Sequence, residues 1–495
     1  MEPIVFIVIL IYMLKRIPTD QLIQDKICIQ RYNLSVSYCH NLPIIKDDPI
    51  GMKSTILTDV TRMALYINFI NTIPVVFISI IIGPFIDNYK PAKRLLLIFA
   101  SIMTIAEMSI LALNAYFFHA NYYLIFLSHL TASLCGGPLV SLTTIWAYTS
   151  SVTPEHIRLL RMVFLELCIF AGPPIGTAIS GHMLDMHTPF IEHEPRNYTT
   201  IFLIGAGCAF ISFLIALLLV DEEKDKILFR KYFPKSETND EIVKKDPCTE
   251  MKPSDTKLID TKPSTGLINS LFTFQNVRDM IQTFVRPRPY GIRLQMFCLI
   301  FSTVTIMIAY MGPSVFLYQY LQKVFAWGPA DYSNYVTFNS LINIFTTLIF
   351  APIFLKVFKF ADLTCSLIAF HMLLIQNLVR LLSLSVWTFY VALPFYSFNS
   401  MSMVGVRAYL AKLVDRNELG KIFALMSAID SITPLISSLI FSTIFGLTID
   451  SIPNLPFAAV CVTLIVGISS LYIVASRSKR TLAALESDRN IESQA

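Results

Sequence analysis

Charge is scarce in this 495-residue sequence: Asp, Glu, Lys and Arg together make up 15% of it, where a soluble globular chain carries roughly a quarter. Hydrophobic residues make up 54%. A water-soluble core of this size cannot hide so much apolar surface, so lipid must cover much of it. That shortfall excludes an ordinary soluble enzyme. No GxxxxGK(S/T) loop occurs, which excludes ATP hydrolysis by this chain as a driving force. The nine cysteines form no CxxC pair and no zinc spacing, so no metal site is expected. Cys135, Cys168, Cys208, Cys298, Cys365 and Cys461 sit inside apolar runs as small packing residues. Only Cys28 and Cys39, in a polar loop, are placed to form a disulfide. No basic residue precedes the apolar stretch Pro3 to Leu14, and no small-residue cleavage site follows it. It is expected to be a retained first helix, not a removed signal peptide, although its apolar run is short for a span.

What the sequence has in abundance is long apolar runs. They fall at 3–27, 61–86, 93–117, 121–149, 157–183 and 200–220, then at 291–322, 331–358, 361–384, 386–412, 419–448 and 454–476. Each predicts a helix long enough to cross about 30 Å of hydrocarbon. They are continuous, not alternating, which excludes barrel strands. Basic residues crowd one set of connections: Lys90, Lys93 and Arg94; Arg158 and Arg161; Lys356 and Lys359; Lys412, Arg416 and Lys421; and Arg477, Lys479 and Arg480. By the positive-inside rule that set is cytoplasmic, with both termini. The sequons at Asn33 and Asn197 fall in the opposite loops, as glycosylation sites should.

Residues 221–263 are rich in Lys, Asp, Glu, Ser, Thr and Pro. They read as a solvated linker between two halves, disordered in part. The division is therefore 1–220, a charged cytoplasmic linker at 221–290, 291–476, and a tail at 477–495. Six helices, a linker and six helices is the layout of the major facilitator superfamily. A faint parallel repeat agrees: Ala147-Tyr148 followed by Glu155 to Arg158 is matched by Ala408-Tyr409 followed by Glu418 to Lys421.

An ionisable residue inside a span marks a transport path more often than it marks packing. Glu107, Glu166, Arg407 and Asp430 are the candidates; Arg380, near a helix end, could instead snorkel to the interface. Glu166 is placed either to carry a coupling proton or to be a static partner for an Arg. Arg407 offers a planar fork to an anionic substrate, or pairs permanently with Asp430 or Glu166. Lys15 and Arg16 read equally as a positive outer mouth or as interfacial anchors. Gly83-Pro84-Phe85-Ile86-Asp87 followed by Lys90, Lys93 and Arg94 reads as a breakable inner gate, Asp87 with Arg94, or as an anchor. Gly172-Pro173-Pro174-Ile175-Gly176 and Ser180-Gly181 read as close packing with a bend. The lone histidines His129, His182 and His371 read as polar contacts.

Several stretches resemble solute-carrier family 46, the proton-coupled folate transporter family, in its invertebrate members. Glu2-Pro3-Ile4-Val5-Phe6 is similar to the family's first helix, and Cys28…Tyr32-Asn33-Leu34-Ser35…Cys39 to its glycosylated first loop. Arg158-Leu159-Leu160-Arg161-Met162…Glu166 and Arg407…Lys412-Leu413-Val414…Glu418-Leu419-Gly420-Lys421 are similar to its motifs around helices five and ten, and Trp327…Tyr332…Tyr335 also fits. The loop Asp87-Asn88-Tyr89-Lys90 departs from the family's Asp-x-x-Gly, and helix seven lacks a histidine. The resemblance implies proton-coupled movement of organic anions: folates, cyclic dinucleotides or muropeptides. It assigns Glu166 to proton coupling, Arg407 to the substrate or coupling site and Asp87 to the gate.

The expectation is an all-α, twelve-helix major-facilitator carrier. Arg407, Asp430 and Glu107 would bind substrate, and Asp87, Arg94, Arg158, Arg161, Glu418 and Lys421 would form the gate. Its partners are a small organic anion and the lipid bilayer, not nucleic acid; the proton is its coupling ion and no cofactor is implied. The absence of an acidic dileucine signal points to the plasma membrane over the lysosome. A proton-independent uniporter or exchanger, and a non-transporting receptor or scaffold, are the alternatives.

Overall fold

The computed structural model describes residues 1–232 and 282–494, apart from 47, 89–90, 187–193, 283, 354–360, 384, 397 and 415. Twelve helical rods run through the described residues. The first six are α1 (Glu2–Lys26, continued as a π-helix to Arg31), α2 (Lys53–Asn88), α3 (Ala92–Tyr116), α4 (Leu124–Ser133 and Gly137–Val152), α5 (Glu155–Leu184) and α6 (Tyr198–Leu218). The second six are α7 (Ile292–Met311 and Pro313–Phe325), α8 (Pro329–Pro352), α9 (Asp362–Leu381), α10 (Val386–Val391, Leu393–Tyr396 and Asn399–Leu413), α11 (Arg416–Thr448) and α12 (Leu455–Gln494). Nine stretches among the described residues are long and apolar enough to cross a membrane. The rods α1, α8 and α10 supply none of these. In α1 the cause is plain, because Lys15, Arg16, Asp20, Asp25 and Lys26 interrupt its apolar character.

The breaks follow the sequence. Gly136 and Gly137 adopt positive φ (84° and 58°), which only glycine does freely, and they divide α4. Pro313 restarts α7 at its first turn, where a missing N–H costs nothing. With an even number of rods, both termini lie at one end of the bundle (the terminus end). The opposite end carries the disulfide joining Cys28 to Cys39.

Packing repeats between the halves. The pairs α1·α5, α1·α6, α3·α6 and α3·α4 recur as α7·α11, α7·α12, α9·α12 and α9·α10. Across the halves, α5 packs on α8 and α2 on α11, which the same repeat operation interchanges. The apolar core of the rods runs through both halves, with a smaller cluster around Ile4, Leu97, Ile145 and Tyr148 at the terminus end of the first half.

Two expected boundaries differ. Glu222–Tyr232, at the start of the expected linker, is a helix held to the first half. Lys93 pairs with Glu222 at 3.1 Å, and Tyr148 Oη donates to Asp225 at 2.7 Å. Its acidic first turn favours the helix N-terminus, so composition alone concealed local order. The expected tail from 477 continues α12 instead of leaving it.

Candidate functional site

The hydrogen bonds that join the halves gather at the disulfide end. Ser333 Oγ donates to the Thr177 carbonyl at 2.5 Å, and the Thr177 and Thr337 hydroxyls lie 3.0 Å apart. His182 Nε2 meets Asn334 Oδ1 at 2.9 Å, and Tyr318 Oη donates to Gln21 Oε1 at 2.7 Å. Lys53 Nζ donates to the Gln322 carbonyl at 2.8 Å, and Lys323 reaches Ser54. Glycine makes the α5·α8 contact possible: a Cβ on Gly181 would sit 2.0 Å from Ser333 Cβ. Toward the terminus end of the same rods, Leu160 and Phe164 of α5 and Phe345, Leu348 and Ile349 of α8 are exposed.

Beneath that seal lies a polar layer. Asp25, fully buried, accepts from Tyr198 Oη at 2.5 Å and from Gln21 Nε2 at 2.8 Å, and faces Arg196 Nε at 3.3 Å. Arg196 also pairs with Asp185 at 2.8 Å. Each charge thus has a partner, as burial demands. Beside this layer, burial pushes the Glu194 carboxyl up, although the Thr199 hydroxyl and N–H, the Tyr198 N–H and Lys26 act against it. In the second half, Arg380 is 4% exposed and does not snorkel. Its Nη2 donates to Tyr335 Oη at 2.8 Å, its guanidinium lies 5.9 Å from the Phe389 ring, and its Nε has no partner among the described residues. Tyr310 stacks on Tyr396 (5.9 Å) and Tyr318 on Tyr332 (4.6 Å). Arg16 Nη2 donates to the Ser314 carbonyl at 3.2 Å, beside the break in α7.

The residues expected from sequence separate into three places. Arg407 and Asp430 form one ion pair within the second half: Nη2 to Oδ2 is 2.8 Å, with Arg407 45% and Asp430 14% exposed. The second carboxylate oxygen, Oδ1, has no partner among the described residues. Glu166, on α5, is exposed, and no hydrogen bond or ion pair joins it to the described residues. Glu107 is not with either of them. It is buried inside the first half, where it pairs with Lys15 and lies 3.4 Å from His129 Nδ1.

Of the gate set, Arg94 Nη2 donates to the Leu217 carbonyl at 2.5 Å. The side chains of Asp87 and Lys421 lie outside the described residues, as does Lys90. Arg161 Nε donates to Glu2 Oε1 at 2.8 Å, stacks on Phe229 at 4.3 Å, and so ties α1 and the Glu222–Tyr232 helix to α5 within one half. Glu418 accepts from Arg288 at 2.5 Å and faces Arg286 at 3.5 Å, cations at the far end of the expected linker. Arg158 Nε is buried without a partner among the described residues. Asn33 is exposed, at positive φ (51°). Asn197 stands at the N-cap position of α6 and is 4% exposed.

Sequence reading missed His129 as Glu107's neighbour and the Asp25–Arg196 pair, and left Arg380 open between an in-span charge and a snorkelling one. The available signal was the run of five charges in α1 together with Glu107 in α3. Charges at membrane depth need partners, and of these Lys15 and Glu107 supply each other's.

The comparisons with known proteins fit this architecture. Over 466 residues, 92% of this chain and 87% of the relative, the chain is 22% identical to the proton-coupled folate transporter of Rattus norvegicus. It is also 22% identical over 312 residues to the probable peptidoglycan muropeptide transporter SLC46 of Drosophila melanogaster, a match covering 62% of this chain and about half (52%) of that protein. These curated relatives are members of solute-carrier family 46. Among solved structures, the inward-open xylose transporter XylE from E. coli superposes with a TM-score of 0.59 at 12% identity, over 98% of both chains. The peptide transporter POT in complex with sulfate gives 0.59 at 12%, over 97% of this chain and 94% of that one. The model of the Major Facilitator Superfamily matches residues 49–404, and the chain, a transporter and not an enzyme, belongs to that superfamily.

Proposed function

We propose that this chain is a proton-coupled symporter of an organic anion, working by alternating access between its two halves. The observation that carries the reading is the asymmetry of the cleft. The halves are hydrogen-bonded at the disulfide end, through Thr177, Ser333, Thr337, His182 and Asn334. Toward the other end, Glu166 stands exposed and Arg407 is nearly half exposed. The positive-inside rule makes the terminus end cytoplasmic, so the conformation is inward-facing with its outer gate shut. A carrier must break those outer bonds and make inner ones to turn over.

Glu166 is the carboxylate placed to load from the cleft, since no cation among the described residues holds it in the ionised state. Arg407 offers its fork to the substrate, with Asp430 as the resting partner that the substrate displaces. Asp87 and Arg94, with Arg158, Arg161, Glu418 and Lys421, form the inner gate in the outward-facing state. The relatives' names, a folate transporter and a muropeptide transporter, support an organic anion in the size range of folates or muropeptides. The plasma membrane is the proposed site of action.

The test is uptake of a labelled panel of folates, muropeptides and cyclic dinucleotides into cells expressing the chain, at pH 5.5 and 7.5, with Glu166→Gln alongside. The reading expects at least one compound to enter faster at pH 5.5, and the variant to lose that difference. Uptake that ignores both pH and the substitution would leave a carrier without the proton mechanism.

A further inference from the structure

A cavity of ≈ 40 Å³, apolar over much of its wall, lies inside the first half. Hydroxyls of Ser101, Thr104, Ser141 and Ser212 line it along three rods, and Lys15 and Glu107 close its deep end. It runs from the level of Ile4 and Leu97, near the terminus end, to about the middle of α1 and α3. The volume holds a few waters and no organic solute. A hydroxyl-lined, water-sized space ending on a carboxylate is suited to carrying protons.

The groups acting on Glu107 come from two neighbouring rods. From α1, Lys15 pairs with it directly, and from α4, His129 lies 3.4 Å away with Cys135 within electrostatic reach. The cavity wall contributed by α6, Ala209 and Ser212, is not ionisable. His129 is 5% exposed and neither ring nitrogen has a hydrogen-bond partner among the described residues. An imidazole without a hydrogen-bond partner among the described residues, beside a buried ion pair, can take up or pass on a proton. Tyr12 lines the same cavity and is 42% exposed, and Lys15 Nζ lies 5.7 Å over its ring. Lys15 therefore stands between the Glu107 carboxylate and the exposed Tyr12 ring on the cavity wall.

We propose that Glu107, with His129, is a proton-loading site reached through this cavity, and that its protonation frees Lys15 to hold the substrate's anionic group. The step balances: one hydronium proton from the bulk, relayed along the cavity with its water returned neutral, forms an O–H bond on the Glu107 carboxylate, and the Lys15 ammonium exchanges that partner for a carboxylate or phosphate oxygen. The ammonium keeps its proton. Proton and anion then load together, because each removes the other's obstacle: a free ammonium left in the bundle, or an occupied one. This deepens the symport reading and rests on it for the substrate, though not for the proton site.

Infrared difference spectra of the full chain in liposomes, stepped between pH 7.5 and 5.5 without substrate, test the site. Acidification should produce the carbonyl stretch of a protonated carboxylic acid. Glu107→Gln should remove one component of that absorption, and Glu166→Gln, at the cleft carboxylate, a separate one. Lys15→Met, which keeps the carboxylate and removes its cation, should move the band's midpoint to higher pH; this variant also guards against Glu107→Gln failing to fold. Uptake of the panel compound is the second readout, where Lys15→Met should raise KM roughly tenfold or more, the loss of a charge-assisted contact. A spectrum that Glu107→Gln leaves unchanged, or a midpoint that ignores Lys15→Met, overturns the proposal. If the band behaves as expected and wild-type uptake ignores pH, the proton site stands and the symport reading fails.

Discussion

Arg380 is a guanidinium walled into the second half with no carboxylate among the described residues to answer it, held by the Tyr335 hydroxyl and the Phe389 ring. The fork geometry carries that arrangement, and an ammonium cannot reproduce it. Arg380→Lys and Tyr335→Phe should each lower the stability of the purified chain by about 1–3 kcal/mol. Because they remove the same contact, the double variant should lose much less than the sum, which thermal unfolding of the three proteins would show. Glu194 gives a prediction of opposite chemistry. Burial raises its folded-state pKa, so its contribution to stability is complete at acid pH and is lost as pH rises through that raised value. The unfolding temperature should fall across that range, and Glu194→Gln should flatten the fall. Pairing is what stays hidden from sequence at this scale. Nothing in the order of residues says that Lys15 meets Glu107, or Asp25 meets Arg196, across distances of 92 and 171 positions (107 − 15 and 196 − 25).

Among the rods, α5 does the most varied work. Its glycines touch α1 on one side and α8 on the other: a Cβ on Gly176 would lie 2.8 Å from the Leu10 carbonyl oxygen, and one on Gly181 2.0 Å from Ser333 Cβ. The first contact lies within a half and the second between halves, so two alanines should behave differently. Gly176→Ala should destabilise the chain by about 1–3 kcal/mol, because backbone cannot yield. Gly181→Ala should leave the halves intact but hold them apart at the disulfide end. Spin labels on the disulfide ends of α5 and α8 would report a longer mean distance in that variant and an unchanged one in Gly176→Ala. The close-packing role of this Gly-Pro-Pro-Ile-Gly stretch was legible from its small residues four apart. Which rods it would meet was not, because spacing fixes a face and not its neighbour. The helix at Glu222–Tyr232 was hidden for another reason: its charges matched the solvated linker after it, and its order comes from docking on Lys93 and Tyr148.

At the level of the whole molecule, lipid leaves few options, since every backbone group at membrane depth must be satisfied internally. That is why most of the spans could be read from hydropathy, nine of the twelve rods being long and apolar enough among the described residues. The cleft could not, because its conformation depends on which weak inter-half bonds are closed. Exposed Glu166 and the half-exposed Arg407–Asp430 pair acquire meaning only once the seal through Thr177 and Thr337 is seen at the opposite end. The central claim is that this seal must open and close in every transport cycle. Replacing Thr177 and Thr337 with cysteines and oxidising them would lock it. Uptake of whichever panel compound the wild-type chain carries should then stop, and return on reduction, while each single-cysteine variant transports throughout. A locked protein that still transports at the wild-type rate would contradict alternating access between these halves.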